Sequence, residues 1–119
     1  MEAYKLFDAE YKFACLVWEH EPVNSTELVK LSKSKLGWSK STTYTVLRKL
    51  CERGILHNEQ AAVTSLVKKA DAQKYESQTV IEKAFDGSLP QFLTAFLGGK
   101  KLTPKEAEEL KKIIEDSTI

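Results

Sequence analysis

Pro22, Gly37 and Gly54 cut the first 54 residues into three stretches of 21, 14 and 16 residues, none longer than about six helical turns. Proline ends a helix by removing an N–H donor, and glycine ends one by entering left-handed backbone at low cost. Each stretch also has its own start signal. From Asp8 to Glu19, Tyr11, Ala14, Cys15 and Trp18 recur at i, i+3, i+4 and i+7, one face of an amphipathic helix with Asp8 as its expected N-cap. "NSTE" supplies Asn24 as cap, with Glu27 three residues on in a capping-box arrangement, and opens a second helix bearing Leu28, Val29 and Leu31. Ser39 caps a third, with Thr43, Val46, Leu47 and Leu50 as its expected buried stripe.

Beyond Gly54 the period changes. "ILHNEQ" and "AVTSLV" are rich in β-branched and apolar residues around a polar turn, which predicts a small hairpin, although no Asn-Gly or Asp-Gly pair marks the turn. Three short helices followed by a hairpin is the winged-helix plan, in which a helix-turn-helix presents its second helix and the hairpin flanks it. Helical signals then return. "AQKYESQTVIEKAF" (72–85) places Tyr75, Val80, Ile81, Ala84 and Phe85 loosely on one side and stops at Gly87. Ser88 caps a short helix through Phe92, Leu93 and Phe96, which ends at Gly98 and Gly99. Thr103, Pro104 and Glu106 open a last helix with Leu110, Ile113 and Ile114. The expected fold is therefore mainly α with a small β-hairpin: a winged helix-turn-helix domain over 1–70 and a helical region over 71–119.

The C-terminal segments are too short to bury their own apolar faces. A second copy of the chain is the simplest cover, since two-fold homodimers dominate soluble oligomers. The candidate dimerisation residues are Tyr75, Ile81, Phe85, Leu89, Phe92, Leu93, Phe96, Leu110, Ile113 and Ile114. Packing onto the N-terminal half of the same chain is the alternative.

Charge is unevenly spread. Residues 1–29 carry net −4, residues 30–53 net +6 and residues 54–119 net −1, which together make the chain's +1. A basic island on a near-neutral protein is the footprint of a phosphate-binding face, and equally of a solvated helix surface. Its centre, "GWSKSTTYTVLRKLCERGIL", sets hydroxyls and cations opposite the apolar stripe. Hydroxyls donate to phosphates or base edges, and arginine takes guanine O6 and N7 with two hydrogen bonds. The helix start adds free N–H groups and a positive dipole end. The candidate DNA-binding residues are Ser39, Lys40, Ser41, Thr42, Tyr44, Thr45, Arg48 and Lys49, with double-stranded DNA as partner.

Other chemistries find little support. His20 and His57 are isolated, and no glycine-rich phosphate loop, nucleophile elbow or convergent carboxylate pair is visible, so neither enzyme, metal nor cofactor is expected. Cys15 and Cys51 sit within helical patterns as small hydrophobes. No run reaches the roughly 18 apolar residues of a membrane span, and "MEAYKLFDAEY" lacks the basic start and apolar core of a signal peptide, which predicts a cytoplasmic protein without membrane insertion.

At these residues the chain resembles the penicillinase and methicillin-resistance repressors, a family that also includes copper-responsive repressors. "DAEYKFACLVWE" is similar to the family's first-helix pattern, and "WSKSTTYTVLRKLCERG" to its recognition region, with Thr42, Thr45, Lys49, Leu50, Arg53 and Gly54 matching. "FDGSLPQFLTAFL" and "LTPKEAEELKKIIED" resemble its dimerisation helices. The resemblance implies a dimeric winged-helix repressor on a palindromic operator, released when a sensor-activated protease cuts the dimerisation region. Three departures accompany it. Ser41 and Tyr44 stand where cations are usual and Glu52 where lysine is common; "HNEQAAVTS" is a short hairpin without Lys or Arg; and the family's Asn-Phe cleavage pair is Ala95 and Phe96 here. Copper sensing is not implied, because no cysteine follows Cys51. A second reading is a degenerate family member that binds DNA weakly and acts by pairing with another protein.

Overall fold

A computed structural model describes residues 5–119; residues 1–4, the start of the segment read as lacking a signal peptide, lie outside them. The elements run α1 (Asp8–His20), β1 (Val23–Asn24), α2 (Ser25–Leu36), α3 (Lys40–Glu52), β2 (Leu56–Glu59), β3 (Ala62–Ser65), α4 (Lys69–Phe85), α5 (Leu89–Leu97) and α6 (Pro104–Asp116). Two compact units result, Met1–Thr79 and Val80–Ile119, with the division inside α4.

In the first unit the expected three helices and hairpin form a winged helix. Most local signals act as read. The Asn24 carboxamide accepts from the Thr26 N–H at 2.9 Å and Ser39 Oγ from the Thr42 N–H at 3.1 Å, while Gly37 and Gly54 take φ of 72° and 75° after their helices. Two caps differ. Phe7, not Asp8, is the N-cap of α1, where the Glu10 carboxylate accepts from the Phe7 N–H at 3.0 Å; Asp8 is the first helical residue. At Asn24 the second contact comes from the Thr26 hydroxyl, at 2.6 Å, and Glu27 takes no part.

The core explains a shifted face. Phe13, Ala14, Leu16 and Val17 are buried on α1, while Tyr11, Cys15 and Trp18 of the expected face are only half-buried at its margin. A helix that packs against both α2 and the sheet buries more than one stripe, so the four-residue pattern understates it. On α2, Leu28 is buried with Ser25 and Ser32 while Val29 and Leu31 are half-buried; on α3, Thr43, Leu47 and Leu50 are buried and Val46 half-buried. Cys15 and Cys51 are free and half-buried, and burial, with Glu52 beside it, pushes the Cys51 thiol up from its ordinary value.

The sheet has three strands in the order β1-β3-β2, both pairings antiparallel, with Val23 opposite Val63 and Leu56 opposite Ser65. The hairpin turn is the two-residue loop Gln60-Ala61, with φ of 52° and 68°. Both residues therefore hold the left-handed backbone of a primed turn without the glycine or asparagine that favours it. The Ala61 carbonyl accepts from the Ser25 N–H at 2.8 Å, so the wing turn is tied to the start of α2. Glu21 ties the end of α1 to the end of β3. Its carboxylate accepts from the Ser65 N–H at 2.8 Å and the Ser65 hydroxyl at 2.8 and 2.9 Å, with Lys68 Nζ at 3.6 Å. Burial opposes the charged form, yet the Ser65 hydrogen bonds and Lys68 outweigh it and hold the pKa below the ordinary value.

In the second unit Ser88 and Thr103 cap α5 and α6 as expected, Thr103 in a reciprocal box with Glu106. Phe85 meets Phe92 edge-on at 5.5 Å and Phe92 stacks on Phe96 at 5.8 Å. Neither α5 nor α6 holds a fully buried residue, and Phe96, Ile113 and Ile114 are each more than half exposed. Phe92, Leu93, Phe96, Leu97, Leu110 and Ile113 line most of an apolar groove of about 340 Å³ between α5 and α6.

Candidate nucleic-acid interface

α3 is held at both ends. Before it, the Trp38 ring stacks on buried Phe13 at 5.4 Å, fixing the turn between α2 and α3. After it, the Ile55 N–H returns to the Leu50 carbonyl at 2.9 Å around the left-handed Gly54, a Schellman closure with two buried apolar residues in contact range. Inside, the Thr43 hydroxyl donates to the Ser39 carbonyl at 3.0 Å, so this buried threonine is satisfied locally and faces the core.

The opposite face carries most of the expected residues. Ser39, Lys40, Ser41, Thr42, Arg48 and Lys49 are exposed, and Thr45 is half-buried. At 100° per residue, Ser41, Thr45, Arg48 and Glu52 follow one line down the middle of that face, with Thr42 and Lys49 along one edge. Tyr44 lies apart. It packs against the core, and its hydroxyl donates to Ser25 Oγ at 3.4 Å, a contact that steadies the start of α2. The first turn of α3 has no acidic residue, and Ser39 satisfies one of its N–H groups, leaving the others for solvent or an anion.

Two residues of the basic island have partners. Arg53 leaves the island altogether: its Nη1 lies 3.2 Å from each Glu10 oxygen and its Nη2 donates to the Lys5 carbonyl, which clamps the end of α3 to the start of α1. No local pattern marks this pair, because 43 residues separate its members. Arg48 Nε lies 3.8 Å from Glu52 Oε1, both side chains 69% exposed. Lys30, Lys33 and Lys35 of α2, together with Lys40 and Lys49 of α3, are exposed and outside every ion pair among the described residues. The α2 lysines belong to the island by sequence but were not among the named candidates; only their shared exposure beside α3 brings them in. On the hairpin, His57 and Glu59 face each other at 3.5 Å, and no Lys or Arg occurs between Leu56 and Ser65.

A helix-turn-helix whose second helix turns hydroxyls and cations outward, followed by a hairpin whose β3 also pairs with β1, defines a winged-helix protein. Residues 6–116 match the penicillinase repressor family model, and the chain belongs to that family, as its motifs had suggested. It is 27% identical over 116 residues to a penicillinase repressor of Bacillus licheniformis, covering 94% of this chain and 91% of that protein. It is 22% identical over 117 residues to a methicillin resistance regulatory protein of Mammaliicoccus sciuri, 95% of each, and 23% identical over 112 residues to a penicillinase repressor of Staphylococcus aureus, 91% and 89%. Among the described residues no helix is long and apolar enough to cross a membrane.

Proposed function

We propose that this protein is a cytoplasmic, homodimeric transcriptional repressor that lays α3 in the major groove of a palindromic operator. The observation that carries the reading is the line Ser41, Thr45 and Arg48 down the exposed face of a helix rigidly capped at both ends. Residues 1–70 serve DNA and 71–119 pair two copies, the exposed apolar groove between α5 and α6 being the surface a second copy covers. The printed names of its relatives, repressors and a resistance regulator, support the repressor role.

Base reading and phosphate positioning separate by mutation. Arg48 is one turn beyond Thr45 and reaches a base edge, where a two-hydrogen-bond contact discriminates by about 1 to 3 kcal/mol. Lys40 opens the helix, where phosphate contact is expected. Arg48→Ala should relax preference at particular base pairs, whereas Lys40→Ala should weaken all duplexes alike and reduce the salt slope by about one unit. Binding measured on a sequence selected from random duplexes, and on its scrambled form, decides between them. An equal loss on both duplexes in Arg48→Ala, with the fold intact, removes Arg48 from base reading. No salt-dependent binding to any duplex by the wild type favours the pairing-only reading instead.

Relief of repression by proteolysis is the accompanying proposal, with the Ala95–Phe96 bond inside α5 as the cut. With alanine at the family's asparagine position, a sensor-activated protease of the usual specificity should cut this chain poorly. Incubation followed by intact-mass analysis checks it; efficient cleavage at that bond means the asparagine matters less than the surrounding helix.

A further inference from the structure

Glu52 is the one acidic residue between Lys30 and Arg53, and it stands in line with Ser41, Thr45 and Arg48 on the face α3 turns outward. A carboxylate there is unfavourable for a helix meant only to attract a polyanion. Its partner is Arg48, approached at Nε, the inner edge of the guanidinium, at 3.8 Å. Arg48 has no other partner among the described residues and makes no hydrogen bond there, so its terminal nitrogens keep their donors. Both side chains are 69% exposed, so the pair itself contributes little to the fold.

The effect on DNA differs with the kind of contact. Phosphate attraction follows local net charge, and here Arg48 and Glu52 cancel; a base-edge contact depends on directed hydrogen bonds, which the terminal nitrogens of Arg48 remain free to make with Glu52 beside Nε. The wing adds no compensating cation, since no Lys or Arg occurs between Leu56 and Ser65. We propose that Glu52 is a specificity-setting positioning residue: it cancels the general pull of Arg48 on phosphate and orients its terminal nitrogens, so that binding depends on the base they meet. This rests on the DNA-binding reading above.

The test compares the full-length wild type, Glu52→Gln and a control of the same design. Lys112 and Asp116 form a second i,i+4 pair, at 3.3 Å and 77% and 64% exposed, on α6 in the other unit. Asp116→Asn therefore makes the same change of charge and breaks the same kind of pair away from α3. Each protein is titrated with a duplex selected from random sequence and with its scrambled form over a range of salt. Glu52→Gln should bind scrambled duplex about five- to tenfold tighter at low salt and steepen its salt slope by about 0.9, the value of one phosphate contact. The selected duplex should gain only about twofold, so the ratio between the two narrows, while the thermal midpoint stays put. Asp116→Asn should change neither ratio nor slope. Wild type with salt-dependent binding, and a Glu52→Gln ratio unchanged or matched by Asp116→Asn, overturns this inference alone. Wild type that binds no duplex, joined by a Glu52→Gln that does, supports it; neither binding overturns it along with the DNA reading.

Discussion

Phe13→Ala is expected to lower the stability of the winged-helix unit by about 3 to 5 kcal/mol, the range for truncating a buried phenylalanine that leaves a cavity. Phe13 is wholly buried on α1, and its ring supports Trp38 in the turn that delivers α3. Removing it costs transfer energy and dispersion contacts together, and also frees Trp38, the residue that sets where α3 begins. Against a total of roughly 5 to 15 kcal/mol for a small domain, that loss leaves little margin. Phe13→Leu, which keeps most of the volume, should cost less than about 1.5 kcal/mol. Denaturant titrations of the three proteins measure both figures. A loss below 1 kcal/mol for the alanine variant would place the weight of the core elsewhere, on Leu28 and Leu50.

The contrast between Phe13 and the residues first assigned to that face shows what was legible in the sequence. Caps were readable because a cap is a local bond: Asn24, Ser39, Ser88 and Thr103 each meet an N–H two or three residues ahead. The outward face of α3 was readable for a similar reason, since Thr43, Leu47 and Leu50 fix its inner side and only a single helical period is involved. The broad buried face of α1 was not, because Phe13, Leu16 and Val17 and the row Tyr11, Ala14 and Trp18 are both valid apolar rows, and only packing against α2 and β3 buries the first fully and the second in part. Strand β1 had no signal at all. Two residues carry no period, and Val23 becomes a strand only by pairing with Val63, forty residues away. The same distance hid the Arg53–Glu10 clamp, which turns a charge counted toward DNA into a brace between helices. Tyr44 is less open than its position suggested: its backbone borders the exposed face, and its ring packs against the core with its hydroxyl on Ser25.

With two copies paired through residues 71–119, as proposed above, Phe96→Ala is expected to weaken the pairing by about 3 to 5 kcal/mol, a rise of roughly two to three and a half decades in the dissociation constant. Within one chain Phe96 is 58% exposed, stacked on Phe92 with Lys100 5.5 Å above its ring, at the rim of the groove that Ile113 also lines. Its own unit therefore gives it little cover, and the size of the effect depends on a second copy supplying the rest. That dependence separates interface from fold. Phe96→Ala should shift the association measured by equilibrium sedimentation far more than the unfolding midpoint of the monomer, whereas a residue that packs only within its chain would move the two together. Operator binding should fall with it, because two linked half-site contacts gain affinity over one only while the pair holds together. Leu93, half-buried in the same groove, should follow in the same direction on truncation with a larger share of the loss in folding. Wild type that stays monomeric at micromolar concentration would sink the pairing role of residues 71–119 whatever the variants do. A dimer untouched by Phe96→Ala would move the interface away from the α5 rim and onto the Ile113 and Ile114 row of α6, which is equally exposed.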